Sequence, residues 1–200
     1  MAVPAEGIIS LAGFLLILAE VIVGLAIGFA LQIGFSAALL AGEAISNAMG
    51  IAFAAIADPT NGQMSPAIGQ YLSMLATFLL LATDGHLALI AIIVDSYTAL
   101  PPGNAWLSFE VIAEIANFGV LLFAAGLSIA LPVGCALIVV QIMMGVIARS
   151  APTLNLFAVG LPATLLAGVV LLAVATPIMA ETITATIRQT IDNADAIIGR

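Results

Sequence analysis

Six carboxylates lie inside long apolar runs: Glu20, Glu43, Asp84, Asp95, Glu110 and Glu114. A charge at the centre of a hydrocarbon layer costs about 3 kcal/mol on insertion scales, so each acid marks a functional position or one with a buried partner. Glu20, Gly24, Gly28, Gln32 and Ser36 follow at intervals of four, which puts them on one slowly drifting stripe of a helix. Such a stripe, continued to Gly42 and Glu43, could line a pore or an ion path. It could also be a packing face with one tolerated acid, because Gly24-x-x-x-Gly28 lets two backbones approach closely. Packing is the favoured reading. Asp84 and His86 contain the parts of a proton relay, since histidine titrates near neutral pH. Two residues apart, they do not share a helix face. Gly85 between them signals a turn, and Asp84 is expected to cap the helix that follows.

The chain has one histidine and one cysteine, so no cluster has metal-ligand spacing and no intrachain disulfide can form. Cys135 reads as a small buried hydrophobe. Met143-Met144 reads as core in preference to a flexible gasket. No serine sits in a nucleophile elbow, and neither a phosphate-binding loop nor a dinucleotide fingerprint is present. The expectation is a non-enzyme without cofactor or metal.

The elements that must carry these residues are set by composition. Of 200 residues, 64% are hydrophobic and 7% charged. A water-soluble fold of this length could not cover so much apolar surface, so lipid or a tight assembly must. The cations are Arg149, Arg188 and Arg200, against a net charge of -8. Nucleic acid is excluded as a partner, because no cationic cluster is available to displace counterions from phosphates. The same scarcity leaves too few basic residues to orient the chain across a membrane. The first ten residues hold Glu6 and no basic residue, and the apolar run that follows exceeds a signal-peptide core. It is expected to be a spanning helix.

Three breaker-rich stretches divide the chain: Asp58-Pro59-Thr60-Asn61-Gly62-Gln63-Met64-Ser65-Pro66, Pro101-Pro102-Gly103-Asn104, and Arg149-Ser150-Ala151-Pro152-Thr153-Leu154-Asn155. The apolar segments between them lack alternation and exceed strand length, so the expected class is all-α: a polytopic helical membrane protein of long, kinked helices and helical hairpins. Segment one, about Ile8 to Ile56, exceeds a bilayer span. It should bend near Gly42 or project beyond the membrane. Segment two, Ala67 to Leu100, should divide at Asp84-Gly85-His86 into a helical hairpin. Segment three, Phe109 to Ala148, should kink or divide at Pro132. Arg149 closes it, a cation suited to the negative end of a helix dipole. Segment four, Leu156 to Ile198, is punctuated by Pro162 and Pro177. Ile183, Ile187, Ile191, Ala194 and Ile198 recur at three and four, an amphipathic helix over about 179–198 that could lie on the membrane or on a partner. The chain reads as one helical domain.

The ordered motifs resemble the FliR/SctT family of the bacterial flagellar and type III protein-export apparatus. They run from Gly24-Leu25-Ala26-Ile27-Gly28 through Ala41-Gly42-Glu43, Asp58-Pro59, Ser65-Pro66 and Gly85-His86-Leu87 to Leu131-Pro132-Val133. The block Gly145-Val146-Ile147-Ala148-Arg149-Ser150-Ala151-Pro152-Thr153-Leu154-Asn155-Leu156-Phe157 and Pro162 complete the series. Thr153 departs from the family, which often has glutamine there. Members carry further hydrophobic helices ahead of the block near Ile8, so a shortened N-terminus is expected.

The resemblance implies a non-enzymatic subunit of an export gate in the bacterial inner membrane. It implies FliP-like and FliQ-like subunits as partners, an FlhB-like switch protein beside them, and unfolded export substrates in transit. It further implies that Asp58 to Pro66 plugs the closed channel, and that Gly85, His86, Arg149, Pro152, Asn155 and Pro162 are structural motif residues. The competing reading from the residues is a secondary transporter that uses Glu20, Glu43 or Asp84 near mid-membrane. No inverted repeat favours it.

Overall fold

A computed structural model of the chain describes residues 10–51, 67–101, 109–150 and 156–199. The stretch 58–66, and Pro152 and Asn155 with it, lie outside the described residues. Among those described, every element is a helix: α1 (Leu11–Ala48), α2 (Ala67–Ala82), α3 (Gly85–Ala99), α4 (Phe109–Ser150) and α5 (Leu156–Gly199).

Ser10 starts α1 by accepting a bond from the Gly13 amide at 3.0 Å, the usual role of a serine at an N-cap. The helix then runs 38 residues without a break. The expected bend near Gly42 is not a break. Apolar stretches of 36, 36 and 40 residues in α1, α4 and α5 are each long enough to cross a membrane. At ~1.5 Å per residue they reach about 54 Å or more, well beyond a ~30 Å hydrocarbon core.

α4 continues through Pro132, and α5 through Pro162 and Pro177; of the kink or division expected at Pro132, division does not occur. A proline removes one backbone donor and crowds the preceding turn, a local cost that helices of 42 and 44 residues absorb because their packing is spread along their length. Arg149 stands in the last turn of α4 as expected.

Segment two divides at Asp84-Gly85 as expected, but α2 and α3 meet at a 72° bend and not as the expected antiparallel hairpin. Asp84 makes this elbow with its backbone. It adopts a left-handed φ of 56°, and its side chain makes no capping bond. The Leu87 and Ala88 amides donate instead to its carbonyl, at 2.9 and 3.3 Å. The expected side-chain cap is thus corrected to a backbone turn, for which aspartate is among the more tolerant residues. Gly85 is buried beside it because a Cβ there would lie 2.6 Å from Leu80 Cδ1 and 3.2 Å from the Leu80 carbonyl.

α1 is the central strut, packed on α4, α2 and α5, while α5 also contacts α4, α3 and α2. Two buried clusters lie along it. One gathers Ala37, Ala38, Ala41 and Ile45 of α1 with Leu72, Ile129, Val133, Met179 and Ile183. The other gathers Val23, Ala26, Ala30 and Ile33 with Phe118, Ala194, Ile197 and Ile198. The apolar side of 179–198 is therefore turned inward onto α1 of the same chain. Helical hydroxyls such as Ser46, Thr176 and Thr186 donate to their own backbone carbonyls four residues back, at 2.7–2.9 Å, which satisfies them without water.

Candidate functional site: the two faces of α1

The inner face of α1 is built from small residues. Ala26, Ala30, Gly34, Ala38 and Gly42 follow at intervals of four and all are buried. At Gly42 the contact is backbone to backbone. A Cβ built there would overlap Gly69 Cα and N, and would lie 2.7 Å from the Ile68 carbonyl carbon. Gly34 faces Thr190 of α5, whose Oγ1 would stand 3.1 Å from an added Cβ. From α4, Gly126 approaches Leu40 and the Ala37 carbonyl, at 2.9 and 3.2 Å from its built Cβ.

The outer face is displaced by two residues, or about 200° around the helix. There Gly24 and Gly28 are exposed, with nothing within 4 Å of a built Cβ. Leu25 and Phe29 beside them are 67% and 47% exposed. Gln32 donates to Ser36 Oγ at 3.4 Å, both within the same stripe. Higher on the stripe Glu20 is half-buried, and its Oε1 has no hydrogen-bond partner. An acid without a partner atom is costly in an apolar setting, and among the described residues Glu20 Oε1 finds none.

The other singled-out residues are dispersed. Glu43, Asp84 and Asp95 are exposed. His86 is half-buried with Nδ1 unpaired. Cys135 is exposed, and Met143 is 53% exposed beside a half-buried Met144. The expectations of a buried Cys135 and a core Met143 are thus corrected. Both sit on α4 faces that no described helix covers, where hydrophobicity alone cannot tell a core from a lipid or partner contact. Among the described residues no three histidine, cysteine, aspartate or glutamate side chains converge as metal ligands. Glu181, Arg188 and Asp192 line a shallow groove of about 600 Å³ between α5 and Leu79 of α2.

The sequence reading did not pick out the inner stripe, nor Gln141 and Thr164. Gln141 Nε2 donates to the Ala48 carbonyl at 2.6 Å, and Thr164 Oγ1 lies 3.2 Å from the Met49 carbonyl. The four-residue spacing from Ala26 to Gly42 was the available signal for the stripe. Nothing in sequence pairs position 141 with 48.

Long apolar helices, a surface of uncovered hydrophobic side chains and a close-packed central strut define a multi-pass helical membrane protein. The chain belongs to the bacterial export proteins, family 1, whose model matches residues 1–190. It is 37% identical over 173 residues to a flagellar biosynthetic protein FliR of Pectobacterium carotovorum, covering 86% of this chain and 66% of that one. It is 35% identical over 181 residues to FliR of Escherichia coli K12, covering 90% and 69%. The FliR of Bacillus subtilis is 32% identical over 163 residues, covering 80% and 63%. The chain spans about two thirds of the length of these relatives. As a member of the FliR/SctT family it is a multi-pass protein of the bacterial inner membrane.

Proposed function

We propose that this chain is a non-enzymatic subunit of a flagellar-type protein-export gate. In this reading it joins FliP-like and FliQ-like subunits around a central channel for unfolded substrates, with an FlhB-like switch protein in contact. The observation that carries it is the outer face of α1 in a chain of this family. Among the described residues nothing lies within 4 Å of a Cβ built at Gly24 or Gly28, and small-residue stripes in membranes associate with other helices. The three relatives named above are all flagellar, which favours the flagellar over the virulence-type branch.

Native mass spectrometry of a tagged copy, co-expressed with the host's FliP-like and FliQ-like proteins, tests the assembly. A complex holding one copy of this chain with several of each partner is the expected result. A stable monomer free of both would reject the reading.

We assign Asp58 to Pro66 as the segment that closes the channel, on the strength of its polar, breaker-rich sequence between apolar helices. Polar irregular backbone is tolerated at membrane depth only inside protein or a cavity. Deleting Asn61 to Met64 should raise ion leakage through the assembled gate at least severalfold; unchanged conductance in a fully assembled complex would sink the assignment.

The carrier alternative is less well supported. Its three candidate acids are spread over α1 and the α2–α3 elbow, and two of them, Glu43 and Asp84, are exposed.

A further inference from the structure

The end of α1 is held by side chains from two other helices. The last carbonyls of any helix lack intrahelical donors, and away from water each must find one. α1 stops because Gly50 takes a φ of 80° while its amide bonds back to Asn47 at 3.0 Å. The Ala48 carbonyl then receives Gln141 Nε2 of α4 at 2.6 Å, across 93 residues of sequence. Because a carbonyl only accepts, the amide nitrogen of Gln141 must face it. The next carbonyl, on Met49, lies 3.2 Å from Thr164 Oγ1 of α5, which is also 2.9 Å from the Leu161 carbonyl. Between these two bonds the Met49 side chain is 2% exposed. It lies over Gly168, where a Cβ would come 2.7 Å from its sulfur.

Gln141 stands in the run Val139-Val140-Gln141-Ile142-Met143, where an unpaired amide would be penalised by lipid or apolar protein alike. Thr164 could satisfy its hydroxyl on Leu161 alone, yet it also reaches Met49. We propose that Gln141 and Thr164 are positioning residues: a two-sided polar clamp, with Gly168 as the seat for Met49, that fixes the end of α1 against α4 and α5. The clamp keeps these three long helices in register within the assembled gate. This rests on the gate reading above. The Gln141 bond and the Met49 branch of the Thr164 hydroxyl, whose single hydrogen is shared with the Leu161 carbonyl, act on the same helix end from opposite helices, so loss of either weakens the hold on one carbonyl and loosens the junction.

The test uses the complex co-assembled with FliP-like and FliQ-like subunits. Gln141→Met keeps size and removes the donor; Thr164→Val keeps shape and removes the hydroxyl; Thr164→Ser restores it. Hydrogen exchange at the amides of residues 45–51 and ion leakage through the complex are read for each. Gln141→Met and Thr164→Val should each accelerate exchange at least tenfold and raise leakage severalfold, with unchanged subunit stoichiometry, while Thr164→Ser behaves as the parent. Unchanged exchange would show that the clamp does not hold α1. Faster exchange with parental leakage would reduce it to a structural cap and overturn the positioning role. Failure of the parent chain to enter the complex would instead count against the gate reading, and stoichiometry reports that separately.

Discussion

Replacing Gly42 with alanine is expected to remove the folded chain, although the change adds one methyl group. The methyl has no side chain to push aside. Its nearest neighbours are Gly69 Cα, Gly69 N and the Ile68 carbonyl carbon, all backbone. Relief requires moving α2 away from α1, and that opens the cluster of Ala38, Ala41, Leu72 and Ala76, each at 0% exposure. Overpacking in a close-packed interior ordinarily costs about 1–3 kcal/mol. Here the lost contacts add to it, so a penalty of about 4 kcal/mol is expected, large enough to unfold many proteins. Helix propensity works the other way, since alanine is favoured over glycine by about 1 kcal/mol in a helix. A gain in stability would therefore mean that propensity prevails and that α1 and α2 are not in backbone contact. The check is thermal unfolding of the purified chain in detergent, with Gly69→Ala as a milder companion, because its Cβ would meet the movable Leu39 Cδ1 at 2.8 Å and the Leu39 carbonyl at 3.1 Å. A melting temperature within about 2 °C of the parent for both variants would refute the crossing.

A bulkier change on the opposite side of the same helix should do the reverse. Gly24→Ile with Gly28→Ile places branched side chains where the chain offers open space. Isoleucine is the better helix former of the two, so unfolding of the chain alone should be unchanged or shifted slightly upward. Recovery of the complex with FliP-like and FliQ-like partners should fall at least tenfold, about 1.4 kcal/mol or more in association. Close helix approach depends on the absence of the very side chains these substitutions add. If the double variant assembles as the parent does, the outer stripe faces lipid and the seam assignment for Glu20, Gly24, Gly28 and Gln32 falls. If it also unfolds the chain, the outer face is not free in the way Gly24 and Gly28 suggest.

These two predictions mark how far the sequence could be read. Segment types, the elbow at Asp84-Gly85 and the Arg149 terminus followed from hydropathy and breaker residues, because those signals are local. Pro132 does not divide α4, since a ring that disturbs one turn does not decide the fate of a helix about twelve turns long. The two stripes of α1 looked alike because Gly and Ala carry no polar contrast in an apolar run, and only the packed neighbours distinguish them. Gly24 and Gly28 were visible as a motif, while Ala26, Ala30, Gly34 and Ala38 were passed over although they are the buried ones. Gln141 and Thr164 were invisible for a different reason: their partners are carbonyls, which every residue has.

The Gly42–Gly69 crossing also restricts how the molecule can move. Turning α1 by one residue about its own axis, roughly 100°, would bring Ala41 or Glu43 to the point where α2 admits only a hydrogen atom. α1 is therefore keyed against α2 as a shaft is keyed in a hub. It cannot screw past its neighbour without first parting from it.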